Sequence, residues 1–527
     1  MEKGKIWDEY GENVTRLLLK PRKGLSRLVF SRIGVVMLLL AVQVALLLMA
    51  YRWLDSYFDW FNGAQWVFTA FVVFFLFNSD MDATGKLTWM FLLALAPVPA
   101  SIFLWFTQRS FGHRAQRRKV QEMVDATWGK LQQNEAVLQH TELMRSGTDD
   151  LCRYLNRSGT FPLYNNTEVT YYPSGEAKFA AMLDALKAAE KFIFLEYFII
   201  AEGYMWGSVL NVLREKAEQG VDVRVMYDGM CEFTTLPADY PKRLARLGIQ
   251  CKAFSPVYPF LSTHYNYRDH RKILVIDGKV AFNGGVNLAD EYINKVERFG
   301  KWKDAAVKLT GGAVASFTLM FLQMWNLSEK DPRWDEYLPS PAAAHDGYVM
   351  PYCDSPLDKD KVGEMVYMDM LNRARSYVHI FTPYLILDNE LETALKFAAQ
   401  RGVEVKLILP GIPDKKGAYA LAKSHYKYLL EAGVQIYEYI PGFVHSKVFV
   451  CDGEKAVVGT INLDYRSLYH HFECATYLYR CGCITDIEKD FQLTLPECRQ
   501  VTLENLKEVT RGYRLRGSIM KIVAPLM

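Results

Sequence analysis

Asn266-Tyr-Arg268-Asp-His270-Arg-Lys272-Ile-Leu-Val-Ile-Asp277-Gly278, followed by Gly284-Gly285-Val-Asn287, is one of two versions of a single text in this chain. The other reads His445-Ser-Lys447-Val-Phe-Val-Cys-Asp452-Gly453, followed by Gly459-Thr460-Ile-Asn462. In a strand, residues i and i+2 share a face, so His270 projects with Lys272 and His445 with Lys447. The Asp-Gly pair after each apolar run signals a tight turn, so each motif strand is expected to fold back as a hairpin. The returning strand then carries Asn287 or Asn462 toward the same end.

The text around each motif repeats as well. In the first copy a helix is expected over 174–191, apolar at Phe179, Met182, Leu183 and Leu186. A strand over 192–199 follows, then a helix leading to Gln219-Gly220 and a strand over 221–227. In the second, a helix ends near Arg375 and a strand covers 378–383. Another helix then leads to Arg401-Gly402 and a strand over 403–409. Leu247-Gly248-Ile-Gln250 and Ala432-Gly433-Val-Gln435 then match each other. Short apolar strands alternating with helices imply βαβ units around a buried sheet. A period of roughly 180 residues is too long for a solenoid and reads as a duplicated domain. The expected architecture is therefore α/β, with two tandem domains at 171–345 and 346–527 packed on each other behind a charged connector at 109–170.

Together the two faces supply two imidazoles, two ammonium groups and two carboxamides. That set suits a phosphodiester: lysines neutralise non-bridging oxygens, amides hydrogen-bond them, and histidines handle the nucleophile and the proton. One His-x-Lys pair alone would pass as incidental. Two at equivalent places are not explained by core packing, because an unpaired buried lysine is costly. Glu196, on an apolar strand, either lines this pocket or satisfies a local hydrogen bond. His264 and His379 read as structural or rim residues.

The N-terminal region differs in kind. Residues 33–51 form an apolar run broken only by Gln43, and 87–106 form a second containing Pro97 and Pro99. A bilayer-spanning helix needs about 20 residues, so both are expected spans, while 60–77 is either a third short span, a re-entrant piece or an interfacial helix. No small-x-small cleavage site follows the first run, which argues against a removed signal peptide. Residues 1–32 hold eight Lys or Arg against four acids, and Arg109, Arg114, Arg117, Arg118 and Lys119 follow the last run with no acid among them. Both flanks therefore read as cytoplasmic, which asks for an even number of crossings in the membrane region 33–108.

A net charge of +3 over 527 residues excludes the strongly basic class typical of nucleic-acid binders. Nine cysteines, with Cys481-x-Cys483 as the sole close pair, fit neither a disulfide framework nor a zinc site and read as reduced thiols. His470 and His471 are adjacent on a strand and face opposite ways, so the pair is not read as a metal site. No cofactor or metal is expected.

The doubled His-x-Lys-x4-Asp text resembles the phospholipase D superfamily from about residue 170 to 490. The N-terminal anchor, Asn-x-Arg-x-His-Arg-Lys and Asn78-Ser-Asp-Met-Asp with Lys86-Leu-Thr-Trp89 narrow the resemblance to the bacterial cardiolipin synthases. It implies a multi-pass enzyme of the bacterial cell membrane, with catalytic domains at the cytoplasmic face. Its implied reaction transfers a phosphatidyl group between two phosphatidylglycerol molecules through a phosphohistidine, giving cardiolipin and glycerol. His270, Lys272, Asp277, His445, Lys447 and Asp452 are implied as catalytic. Asn287 and Asn462 are expected as phosphate-binding residues, and Asp304 and Glu473 as the acids that orient the histidines and raise their basicity. The implied partners are phosphatidylglycerol, cardiolipin and membrane lipid, without nucleic acid. The motifs do not separate an alcohol acceptor from water, so a hydrolase on the same scaffold stands as the alternative. A non-catalytic membrane scaffold is the third reading, disfavoured by two intact motifs.

Overall fold

The computed structural model describes residues 45, 48, 49, 58–79, 81–95, 97, 100, 101, 104, 105, 111–256, 267–358, 360–508 and 510–524. Most of the first apolar run, the basic N-terminus, His264, Asn266, Arg109 and much of the second run after Leu95 lie outside these residues.

Nine strands belong to the first copy: β1 (Thr167–Tyr172), β2 (Phe192–Tyr197), β3 (Asp222–Asp228), β4 (Gln250–Phe254), β5 (Arg268–Asp269), β6 (Lys272–Ile276), β7 (Val280–Gly284), β8 (Lys301–Lys303) and β9 (Ala306–Gly311). Nine more follow: β10 (Tyr348–Asp354), β11 (Tyr377–Phe381), β12 (Glu404–Pro410), β13 (Gln435–Tyr439), β14 (Gly442–Val444), β15 (Val448–Cys451), β16 (Lys455–Gly459), β17 (His471–Tyr479) and β18 (Cys498–Val501). The first sheet runs β1-β9-β7-β6-β2-β3-β4, and the second β10-β17-β16-β15-β11-β12-β13-β18. Strand for strand the orders match, with β18 added at one edge, so the duplication extends to topology. The first sheet begins at Thr167, ahead of the boundary expected at 171.

Each sheet is mixed. β2, β3 and β4 are parallel, joined by helices, whereas β6 and β7 return antiparallel. β6 and β15 are buried along their whole length, which is why they read as continuous apolar runs. The Asp-Gly turns form as expected: Asp277 and Gly278 have φ of +53° and +66°, and Asp452 and Gly453 +53° and +67°. Two successive left-handed residues match the twist of a hairpin, and Asp and Gly tolerate that conformation at least cost.

Two short strands cross between the copies. β8 pairs with β14 in parallel, setting Lys303 opposite Val444. β5 pairs with β17 in parallel, setting His471 opposite Arg268 and Phe472 opposite Asp269. Each crossing joins the residues just before one motif histidine to the residues around the other copy's distal acid.

Before the first sheet, helices Phe58–Phe77 and Ala83–Leu95 pack together through Leu76, Trp89, Leu93, Val72 and Met90. Trp66, Phe71 and Phe74 on the longer helix are 76%, 68% and 69% exposed. Among the described residues, no helix is long and apolar enough to cross a membrane. The Thr88 hydroxyl donates to the Ile522 carbonyl (2.6 Å), tying this hairpin to the C-terminal helix Arg511–Val523.

Candidate active site

The crossing strands bring each motif histidine to the other copy's acid. The His270 amide donates to the Phe472 carbonyl (2.9 Å), and its Nδ1 lies 2.9 Å from both carboxylate oxygens of Glu473. Reciprocally, the His445 amide donates to the Lys303 carbonyl (2.7 Å) and its Nδ1 lies 2.7 Å from Asp304 Oδ2. A carboxylate only accepts, so Nδ1 carries the proton and Nε2 keeps the lone pair. Gly285 permits this approach, because a Cβ there would meet Asp304 Oδ1 at 2.1 Å.

Lys272 and Lys447 each donate from Nζ to the carbonyl of the histidine two residues earlier. All of these side chains are buried. Lys447 Nζ also stands 2.8 Å from His445 Nδ1. Lys272 acts electrostatically on His445, and Glu473 acts on Lys447, so the two motifs form one electrostatic cluster.

Burial dominates the ionisation. It pushes the His445 imidazole down to about 4, helped by the Lys447 charge and opposed by Asp304. Burial likewise holds His270 well below the ordinary histidine value, against the pull of Glu473. The expected rise in histidine basicity is therefore outweighed by desolvation, which disfavours the charged imidazole. Burial also lowers Lys272 to about 8 and Lys447 to about 7. The acids move the other way from what burial alone would do. Burial works to raise Glu473 and Asp304, but the electrostatic pull and hydrogen bond of the His270 ring on one, and of the His445 ring on the other, hold both below the usual carboxylate value. At neutral pH the site pairs anionic carboxylates with neutral imidazoles.

Asn287 accepts the Ile199 amide (3.1 Å) and donates to the Tyr292 hydroxyl (2.7 Å). The Tyr292 ring stands edge-on to His445, with centroids 5.2 Å apart, and Trp302 and Phe443 complete an aromatic box around that histidine. Phe198 stands edge-on to His270 at 4.9 Å. Asn462 donates to Asp464 Oδ2 (3.2 Å), while its Oδ1 is buried without a hydrogen-bond partner among the described residues.

Asp277 and Asp452 stand apart from this cluster. Asp277 follows the far end of β6, five residues beyond Lys272, about 16 Å along an extended strand. Its carboxylate accepts the amides of Glu190, Lys191 and Phe192 at 2.8, 2.7 and 2.9 Å. Asp452 does the same for Arg375, Ser376 and Tyr377 at 2.8, 2.8 and 2.9 Å. Both anchor the hairpin turn to the start of the neighbouring strand.

The intervening motif residues are structural. Arg271 pairs with Glu196 and donates to Asp269 Oδ1 (3.1 Å), which gives Glu196 a local ion-pair role. Arg268 reaches the Ser255 carbonyl (3.1 Å) and lies 3.5 Å from Asp228. His379 is held between Glu488 (3.0 Å) and Glu404 (3.2 Å), as a structural histidine would be. Two residues near the site were not assigned to it from the sequence. Lys178 is 2% exposed, donates to the Tyr197 hydroxyl (2.9 Å) and lies with Lys272 and Asn283 around one small cavity. Its place on the apolar face of a helix, one turn before Met182, was the available signal. His471 points inward beside His270, their ring centroids 5.3 Å apart.

A family model described as "Cardiolipin synthase, PLD-like domain" matches residues 182–308 and 367–494. A cardiolipin synthase of Alkalihalophilus pseudofirmus is 34% identical over 88% of this chain and 93% of its own length. One from Halalkalibacterium halodurans is 32% identical over 94% and 100%. An uncharacterized protein of Streptococcus mutans is 56% identical over 86% of this chain and 99% of its own length. Among solved structures, the phosphatidylserine synthase of Haemophilus influenzae Rd KW20 superposes with a TM-score of 0.55 at 14% identity, covering 72% of this chain and 100% of that one. That likeness speaks to the fold.

Proposed function

The chain belongs to the family of phospholipase-D-like cardiolipin synthases, and on that premise we propose that it is a phosphatidyltransferase joining two phosphatidylglycerol molecules into cardiolipin with release of glycerol. The observation that carries the chemistry is the reciprocal pairing of His270 with Glu473 and His445 with Asp304 across the two copies.

In the proposed cycle, Nε2 of one neutral histidine attacks the phosphorus of the first lipid. A P–N bond forms as the P–O bond to glycerol breaks, and the other histidine, protonated in the Michaelis complex, gives its proton to the departing glycerol oxygen. The primary hydroxyl of a second phosphatidylglycerol then attacks the phosphohistidine. Its proton passes to the second histidine, and the P–N bond breaks. The carboxylate behind each ring fixes the Nδ1–H tautomer and stabilises the imidazolium when it forms. Lys272 and Lys447, with Asn287 and Asn462 beside them, meet the charge on the non-bridging oxygens. No step calls for a metal ion.

Both substrates are anionic lipids, and the exposed aromatic face of helix Phe58–Phe77 suits an enzyme held at the bilayer. We place the site at the cytoplasmic face of a cell membrane, by the basic flanks on both sides of the apolar region. The test is rapid quenching with phosphatidylglycerol labelled in its phosphate. Base-stable, acid-labile label bound to protein, lost in one of His270→Ala and His445→Ala, is expected. Turnover without such label in any variant contradicts the covalent route.

A further inference from the structure

The alternation of β17 turns His471 into the protein beside the reacting groups. It is 8% exposed, and neither ring nitrogen has a hydrogen-bond partner among the described residues. Its Nδ1 stands 3.6 Å from Glu473 Oε1, beyond hydrogen-bond reach. On the other side of that carboxylate, His270 Nδ1 lies at 2.9 Å. One donor atom each from His270, His471 and Glu473 falls within 4.8 Å of the other two.

We infer that His270, His471 and Glu473 form an inhibitory site for a borderline transition-metal ion, Zn2+ above all. Tetrahedral zinc, with bonds of about 2.0–2.2 Å, holds its donors about 3.3 Å apart. The two separations to Glu473, 2.9 and 3.6 Å, bracket that value, and the two histidine donors lie within 4.8 Å of each other, so a side-chain adjustment of at most about 1.5 Å completes three corners. The fourth is left to water or a lipid phosphate oxygen. Two imidazoles and one carboxylate select zinc over Mg2+ or Ca2+, which prefer all-oxygen shells. Lys272, whose charge acts on His270, and Lys447, on which Glu473 acts, are cations that oppose the ion. Glu473 and the orphaned His471 work in its favour.

The consequence follows from which nitrogen is taken. A metal on His270 Nδ1 forces the remaining ring proton onto Nε2, the atom that must carry a lone pair to attack phosphorus or accept a proton. The ion therefore blocks turnover without occupying the lipid's place. This inference rests on the proposed reaction for its effect on activity, though not for the binding itself.

The test uses full-length protein in detergent, stripped of metal and titrated with Co2+ and then Zn2+. One equivalent of Co2+ is expected to give the visible d–d bands of a four-coordinate ion. Zn2+ should bleach them and stop cardiolipin formation over the same range, while Mg2+ and Ca2+ do neither. His471→Asn should bind Co2+ at least about 100-fold more weakly and turn over in zinc-containing buffer. His471→Gln serves if that variant does not fold. Wild-type protein without d–d bands, or His471→Asn binding as tightly as wild type, overturns the site. Bands without cardiolipin formation in chelated buffer would leave the metal site standing and refute the function instead.

Discussion

Replacing Asp277 by alanine separates an anchoring role from a chemical one. Three amides would lose a charged acceptor at 2.7–2.9 Å, and the residue is 7% exposed, so water only partly replaces it. Hydrogen bonds to charged groups contribute about 1.5–3 kcal/mol each, and allowing for their overlap the loss is about 3–5 kcal/mol. Alanine at φ +53° adds about 1 kcal/mol, since it lacks the aspartate's tolerance of left-handed backbone. At about 2–4 °C per kcal/mol for a domain of this size, the thermal midpoint should fall on the order of 10 °C. Asp277→Asn, which keeps one acceptor and the turn preference, should fall less. The assay pairs thermal unfolding in detergent with turnover normalised to the folded fraction. We expect a lowered midpoint with normalised turnover close to wild type. An unmoved midpoint with turnover as low as that of His270→Ala would refute the reasoning and return the motif aspartate to the chemistry.

Glu473→Gln and Asp304→Asn keep shape but lose charge and permit the wrong tautomer, so each should cost on the order of 10^3–10^4-fold in kcat. Steady-state rates with both variants check this, and losses under tenfold would mean that the carboxylates do not set the proton. The pH profile of kcat/KM reports the free enzyme. Lys447 at about 7 and Lys272 at about 8 lose their charge as pH rises through those values, so activity should decline on that alkaline side. His445 at about 4 stays neutral and basic until pH falls near that value, so that group imposes no loss of activity down to there. Lys447→Arg, which keeps its charge, should move the alkaline limb upward, and a wild-type profile flat well above 8 would contradict the assignment.

The duplication was legible because the same residues recur at matched places, and the hairpins because Asp-Gly occupies two left-handed positions. Which acid serves which histidine was not legible. Asp304 follows the His270 motif and Glu473 the His445 motif, yet β8 and β5 cross between the copies, and pairing between strands far apart in sequence leaves no local trace. That Asp277 and Asp452 anchor turns was not legible, because motif spacing records that a residue is needed but not whether chemistry or a turn needs it. His471 was set aside with His470 on strand alternation. That argument put both on one strand, whereas β17 begins at His471 and His470 caps the helix Tyr465–Tyr469, and it said nothing of His270 arriving from another strand. Lys178 was hidden by its helix, where a lysine among apolar residues passes for a solvated edge.

The central claim is that one site, built by both copies, hands a phosphatidyl group to a lipid alcohol. Purified protein given phosphatidylglycerol alone tests it most directly, with lipid products and free glycerol followed together. Cardiolipin and glycerol in equal amounts, abolished by either His270→Ala or His445→Ala, is the predicted result. Phosphatidic acid without cardiolipin would contradict it and make water the acceptor.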